Sequence, residues 1–452
     1  MEKVLFTIII LCCFHTSAIA NNNEHYLFKI AGSNTVGAHL APACAVDYLT
    51  SKGMANVRIK NTAITNEKII TGINSKGIEQ KIFIAAHGSS TGFKALRDST
   101  ADLAISSRPI KDKEVDALAH LGDLRSRKSE HTVAIDGLAI LVHPSNPVQQ
   151  LSVQQVAKIF SGQIENWQEL GGLDLPIKLY ARDNKSGTWD TFKNLVLAKK
   201  YRLADKALRF ESNDTLSDNV AANPAGIGFT GLASVRQAKL LAISDDNTQP
   251  LIPKRLTVAT EDYPLSRRLY FYQPQASIVG QNQWLQGYVD HCLSALGQKI
   301  VDKVGFVTQN IIAVNQPLYN NAPESYKRLS HKAKRLSVNF RFNIGSSQLD
   351  NKAVKDLERV ASFLSTPENK NKNVYLVGFT DANKQQRYDL LIARFRALSV
   401  HAKLMSKKVS IFKTLSLGSF MPIASSQNSI AKSKNSRVEI WLETEPLLTA
   451  SR

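Results

Sequence analysis

Three short runs rich in glycine, serine and threonine supply the groups from which an anion site is built. They are Gly32-Ser33-Asn34-Thr35, Gly88-Ser89-Ser90-Thr91-Gly92 and Ser186-Gly187-Thr188. Each follows a strand-like apolar segment and precedes a helical pattern, so each offers hydroxyls together with the unpaired backbone N–H groups of a helix start. A helix start also carries partial positive charge, and several such ends converging can hold one small tetrahedral anion. Any one run alone reads as an ordinary helix cap, and it is three in one α/β region that point to a site. Arg182, four residues before Ser186, adds a fixed guanidinium fork able to make two charge-assisted bonds to an oxyanion. Its structural alternative is an ion pair with Asp183 or another acid.

These are binding parts rather than catalytic ones. The ten histidines are scattered, no HExxH occurs, and no Cys/His set has metal-ligand spacing. No serine stands beside a general base in the pattern of a nucleophile, so the reading is a non-enzyme with no cofactor and no metal.

The elements that position these runs belong to an α/β pattern. From Tyr26 to about Val307, strands such as Tyr26–Ala31, Leu103–Ser106 and Ala139–Val142 alternate with helical stretches such as His39–Thr50 and Ser152–Ile159. That alternation predicts lobes with mostly parallel sheets and ligands at loops beyond strand ends. Residues 309–335 turn polar and basic and read as a linker. A second α/β pattern follows: strand Val338–Phe342, helix Asn351–Leu364, strand Val374–Phe379, helix Arg387–Lys407 and strand Val438–Leu442.

The first twenty residues have the pattern of a secretory signal, with Lys3, an apolar run from Val4 to Phe14 and small residues at Ala18 and Ala20. The apolar run is shorter than the roughly 20 residues that span a bilayer. Cys44 and Cys292 remain after cleavage, either bridged in an oxidising compartment or buried as thiols. The formal charge is +19, and from Asn321 onward 23 Lys or Arg face 10 Asp or Glu. Such a surplus favours anionic polymers or membrane surfaces but identifies no partner, and nothing else in the chain points to nucleic acid.

The region from Tyr26 to Val307 resembles the phosphate-binding proteins of bacterial ABC transporters, a branch of the periplasmic binding proteins. The text that carries the resemblance includes Ala31–Val36 (AGSNTV), Gly88–Gly92 (GSSTG), Ala104–Ile110 (AISSRPI), Ala134–Leu138 (AIDGL), Ile159–Trp167 (IFSGQIENW), Arg182 through Thr188, Ala225–Phe229 (AGIGF) and Tyr263–Leu265 with Leu269-Tyr270. The resemblance implies a two-lobed periplasmic-binding-protein fold of type II closing on dehydrated phosphate. It implies ligands from Ser33, Asn34, Thr35, Ser89, Ser90, Thr91, Ser107, Arg108, Arg182, Ser186, Gly187 and Thr188. Many relatives have an aspartate where Ser107 stands, which accepts the proton of phosphate and repels sulfate. A hydroxyl can donate and accept, so phosphate stays feasible while the case against sulfate weakens. Arg108 reads as a ligand or as a partner for Asp102 or Glu114.

The stretch from Val338 to Leu442 is similar to the OmpA-like peptidoglycan-binding domain, through Phe342–Ser346 (FNIGS), Val377–Asp381 (VGFTD), Arg396-Ala397, Pro422–Ala424, Asn435 and Arg437–Ile440 (RVEI). In that family an aspartate and an arginine clamp the charged end of diaminopimelate in the wall peptide, which points here to Asp381 and Arg396, fifteen residues apart. A carboxylate for the ammonium and a guanidinium for the carboxylate read a zwitterion at fixed separation. The family's glycine three residues after the aspartate is Lys384 here, and its paired arginines are Ser436-Arg437.

The expected organisation is a signal at 1–20, a phosphate-binding domain at 21–308 with lobe one at about 26–134 and 263–308 and lobe two at about 135–262, a linker at 309–335, an OmpA-like domain at 336–446 and a tail at 447–452. The expected role is periplasmic capture of inorganic phosphate for an inner-membrane ABC permease, with attachment to peptidoglycan through the C-terminal domain. The competing expectation is an envelope protein that bridges or adheres to the cell wall and has a weak or different oxyanion site.

Overall fold

The computed structural model describes residues 25–444 except 185, 199, 247, 276–281, 317–321, 344–345, 383–384 and 426–428. The signal segment, Lys384 and the tail therefore lie outside the described residues. The chain forms a long sheet with helices on its faces, and a smaller five-stranded sheet at the C-terminal end.

The first strand and its loop open lobe one: β1 (Phe28–Gly32), α1 (Asn34–Gly37) and α2 (Leu40–Ser51). A meander follows, β2 (Ala55–Asn61), β3 (Glu67–Ile73) and β4 (Glu79–Ala85), then α3 (Ser89–Arg97) and β5 (Leu103–Ser106). Strand β6 (Glu130–Val142) is thirteen residues long, and twelve of them are buried. Such a continuous apolar run is the signature of a strand covered on both faces.

Lobe two carries β7 (Gln150–Ser152), α4 (Val153–Phe160), β8 (Lys178–Arg182), α5 (Gly187–Phe192), β9 (Leu208–Phe210), α6 (Asn213–Ala221) and β10 (Gly226–Gly231). Ser152 caps α4 by accepting from the Gln155 N–H at 3.1 Å, so the helix starts one residue later than its apolar spacing predicts. The short strands β11 (Lys239–Leu240) and β12 (Ala242–Ser244) lead to α7 (Arg255–Ala259) and the returning strand β13 (Ser266–Tyr272). The path of the large sheet is β2-β3-β4-β1-β5-β13-β6-β10-β8-β9.

Strand β6 joins the two halves of this path. Its first part, Glu130 to Gly137, pairs with β13, and its second, Leu138 to Val142, pairs antiparallel with β10. Asp136 stands at the changeover, opposite Arg267 of β13. Separate apolar cores lie on either side: Ile30, Leu40, Tyr48, Ile84 and Tyr288 in lobe one, and Phe160, Trp167, Phe192 and Phe229 in lobe two. Cys44 and Cys292 are free thiols in the first core, on α2 and on α8 (Gln283–Leu293).

Residues 309–335 differ from the expected linker. They hold β14 (Ala313–Val314), α9 (Glu324–Lys332) and the start of β15 (Ala333–Arg341). Their polar surface hides Tyr326 and Leu329, three apart on one helix face, which pack with Phe379 and Trp441. The C-terminal sheet is then completed by β16 (Val374–Gly378), β17 (Lys413–Ser416) and β18 (Arg437–Glu443), in the order β14-β15-β18-β16-β17. Helix α10 (Asn351–Leu364) and helix α11 (Gln386–Met405) accompany it.

The C-terminal part is docked against the return segment 260–268. Arg335 donates to Asp262 at 2.8 Å, Asn339 donates to Asp262 and to the Thr260 carbonyl, and Arg341 donates to the same carbonyl at 2.9 Å. Arg268 lies between Glu261 at 2.6 Å and Asp350 at 2.8 Å. Burial alone would raise the Glu261 carboxyl, but Arg268 and Arg341 hold it well below the usual range. Contacts reach both lobes, through Asn351 on Glu130 and through the Ser425 N–H on Asp245.

Candidate functional site: the changeover between two lobes

The first loop turns sharply because Gly32 takes φ +140°, and a Cβ there would lie 2.0 Å from the Ile105 carbonyl oxygen. Strand β5 and the loop are thereby pressed together, with the Ser33 N–H donating to that same carbonyl at 2.8 Å. Ser33 is buried, and its hydroxyl has no hydrogen-bond partner among the described residues. Asn34 and Thr35 begin α1 and are partly exposed.

The structure brings the first and third loops into contact. A Cβ on Gly187 would lie 1.9 Å from Thr35 Oγ1, so only glycine lets the two lobes approach this closely. Arg267 joins them. Its guanidinium donates to Thr35 Oγ1 at 3.1 Å, to the Gly187 carbonyl at 3.0 Å, and to Asp136 Oδ2 at 2.8 and 3.0 Å. The Arg267 and Asp136 side chains are only 8% and 7% exposed, so this is a buried pair whose charges depend on each other. One cation thus contacts lobe one, lobe two and the strand that joins them.

The second loop is organised around β5. Ser89 begins α3 and its hydroxyl accepts from the Ser107 N–H at 3.1 Å, with the two hydroxyls 3.4 Å apart. Arg108 donates to Ser90 Oγ at 3.0 Å and to both oxygens of Glu114, at 2.6 and 2.8 Å. Burial acts to raise Glu114, but the Arg108 fork and the Lys111 N–H together hold it below its ordinary value. Of the two roles open to Arg108, the structure places it on Glu114 while leaving it against the loop. Thr91 is exposed and donates to the Gly88 carbonyl at 2.8 Å.

Two expected ligands have structural work of their own. Ser186 is the cap of α5, accepting from the Thr188 and Trp189 N–H groups at 3.1 and 3.3 Å, while Thr188 is buried just inside the helix. Arg182 is turned into lobe two: it donates to the Phe210 carbonyl at 3.1 Å, to the Glu211 carbonyl at 2.5 Å and to Asn213 Oδ1. It holds the loop between β9 and α6, and burial pushes its pKa down. Asp190, on α5 beside these loops, is raised by burial against the opposing charges of Arg267, Lys193, Arg108 and Lys111.

Arg267 and Asp136 were missed as site residues by motif reading, although AIDGL contains Asp136 and Arg267 stands two residues before Leu269-Tyr270. Their opposition follows from the pairing of β6 with β13, which no local motif announces. Among the described residues no group of three His, Cys, Asp or Glu side chains could hold a metal ion.

In the C-terminal part, the Asn435 amide donates to Asp381 Oδ1 at 2.8 Å, and the Arg396 guanidinium donates to Thr380 Oγ1 at 2.6 Å and lies over the Phe342 ring. Burial lowers Arg396, and the charge of Asp381 opposes that shift, which sets the two groups in one neighbourhood. Arg437 is buried, stacked 3.8 Å from the Phe379 centroid and paired with Glu439 at 3.1 Å.

Residues 63–295 match the PBP superfamily domain, and residues 341–436 match the OmpA family. The chain is 31% identical over 237 residues to the protein SphX of Synechococcus elongatus, covering 50% of this chain and 68% of that one. It is 24% identical to the phosphate-binding protein PstS of Borreliella burgdorferi, covering 68% of this chain and 99% of that one. A solved structure of an ABC-type phosphate transport receptor from Vibrio cholerae aligns with a TM-score of 0.48 at 23% identity, covering 62% of this chain and 99% of that one.

Proposed function

We propose, for a chain that belongs to the PBP superfamily and carries an OmpA-family domain, that the changeover between the lobes binds inorganic phosphate. The observation that carries this is Arg267 bonded at once to Thr35, Gly187 and Asp136. An entering oxyanion takes over the donors that Arg267 and Thr35 now share, and gains the N–H groups of the first, second and third loops. The buried Ser33 hydroxyl is one more donor for it.

Asp136 supplies what Ser107 lacks, a carboxylate that accepts the proton of phosphate and repels an anion that has none. Arg182 and Arg108 then position the loops from behind: Arg182 by holding 210–213, Arg108 by tying Ser90 to Glu114. Ser89, Ser90, Thr91, Ser186 and Thr188 frame the anion with their helix starts, and Ser107 stands beside Ser89. The relatives named as phosphate-binding proteins support this choice of ligand.

Binding without chemistry fits delivery to an inner-membrane ABC permease from the periplasm, after export by the N-terminal signal. The C-terminal domain holds peptidoglycan, with Asp381 and Arg396 clamping the diaminopimelate end of the stem peptide. Equilibrium dialysis of the full chain with phosphate against competing sulfate tests the first part. Phosphate is retained over sulfate by the native chain, and Asp136→Asn loses most of that preference. Equal competition by sulfate in the native chain contradicts the assignment. For the wall, Asp381→Ala should leave the chain in the supernatant of a peptidoglycan pull-down, whereas undiminished pelleting speaks against the clamp.

A further inference from the structure

Helix α11 is apolar on two opposite sides. One side, Ala393, Ala397, Val400 and Leu404, is buried against the C-terminal sheet and repeats at the spacing of a packed helix face. The other comprises Tyr388, Leu391, Phe395, Leu398 and Met405, at steps of three, four, three and seven residues, and it is open to solvent. Phe395 is 61% exposed and Tyr388 54%. At 100° per residue these five lie within about a third of the helix circumference, opposite the buried stripe. Single exposed apolar side chains are ordinary; a continuous row of five along some 25 Å of helix is a contact surface.

The charges around the row identify what fits it. Arg387 and Arg394 border it, Lys403 and Lys408 lie at its far end, and all four are exposed. From Gln386 to Ser416 there are seven Lys or Arg and one acid, Asp389, which is buried. Arg396 lies off the row and points to Thr380. A second copy of this face would set Arg387 and Arg394 against their own kind, since a two-fold contact repeats the same patch on both sides.

We infer that this face of α11 lies on an anionic lipid surface, with its apolar row in the boundary between headgroups and acyl chains and its Arg and Lys side chains on the phosphates. An exposed aromatic and aliphatic row bordered by Lys and Arg is what interfacial helices present. The attraction is partly electrostatic and weakens as salt screens it.

The test is co-sedimentation of the full chain with vesicles of phosphatidylethanolamine and phosphatidylglycerol, compared with vesicles of phosphatidylcholine alone. The native chain should pellet with the anionic vesicles and weakly or not at all with the neutral ones. The double substitution F395S/L398S leaves the net charge unchanged and should weaken binding about tenfold or more, with unaltered thermal unfolding. R387Q/R394Q should weaken it and flatten its salt dependence. Native-like pelleting of F395S/L398S would mean that general positive charge alone holds lipid, and absence of pelleting by the native chain would mean that lipid is not the partner. A concentration-dependent dimer in sedimentation velocity that F395S/L398S dissolves would assign the face to a second copy; any of these three results overturns the inference.

Discussion

At the scale of single residues, the site depends on partners far apart in the chain. Arg267 meets Asp136, Gly187 and Thr35 across separations of 131, 80 and 232 residues. Loop text such as GSNT and SGT is local and legible; an arginine that serves three distant segments is not, because its role exists only once β6 and β13 have paired. Arg182 was legible as a cation by a glycine loop, but its acceptors lie about thirty residues on, in 210–213. A residue-scale prediction concerns His131, whose Nδ1 is 2.6 Å from the Lys355 ammonium. Burial, helped by Lys355, pushes His131 down to about 3 from 6.5. The unfolded chain therefore binds a proton that the folded one refuses between these values. Stability linked to His131 is complete above about pH 6.5 and is lost as pH falls toward 3, on the order of 1.4 kcal/mol for each unit. Denaturant melts at pH 7 and pH 4.5 should show a smaller acid loss in His131→Gln than in the native chain; an equal loss would assign the acid sensitivity elsewhere.

At the scale of elements, apolar spacing predicted well where packing and spacing coincide. Leu103–Ser106 and Asn351–Leu364 occupy the predicted residues, whereas Ala139–Val142 is only the end of a strand that begins at Glu130, and Val338–Phe342 belongs to one that begins at Ala333. The stretch 309–335 misled because its buried helix pair, Tyr326 and Leu329, stands among charged residues, and its apolar run Ile311–Val314 forms a strand β14 of only two residues. Loop-on-loop approach was equally hidden: nothing in SGT announces that Gly187 must meet Thr35. That contact gives a direct prediction. Gly187→Ala inserts a methyl where Thr35 Oγ1 stands, 1.9 Å from the new Cβ. Overpacking of this kind costs about 1–3 kcal/mol, so phosphate affinity should fall roughly tenfold to a hundredfold while circular dichroism stays native. Unchanged affinity would mean that the lobes need not touch to bind.

At the scale of the whole molecule, the C-terminal part sits on the segment that links the lobes. Arg335, Arg341 and Arg268 are matched there with Asp262, Glu261 and Asp350; four of the six are buried, and Arg268 and Asp350 are half-buried. Removing Asp262 leaves Arg335 and Arg341 with carboxylate contacts of 3.4 Å, to Glu439 and Glu261, at a cost of up to about 3–5 kcal/mol. Asp262→Ala should therefore separate one calorimetric unfolding transition into two, or lower its midpoint markedly, and a native trace would show that the parts are held by other contacts. The domain order was legible from motif text, but this docking was not, since Asp262 and Glu261 follow an unremarkable helix end. The proposed phosphate position is where the lobes meet, around Arg267. Titration calorimetry of the full chain with phosphate tests it most directly. The native chain should release saturable heat at one site, and Arg267→Ala should lose about a hundredfold in affinity, the ~2.7 kcal/mol of a charged donor; native affinity in Arg267→Ala, or no heat from the native chain, would contradict it.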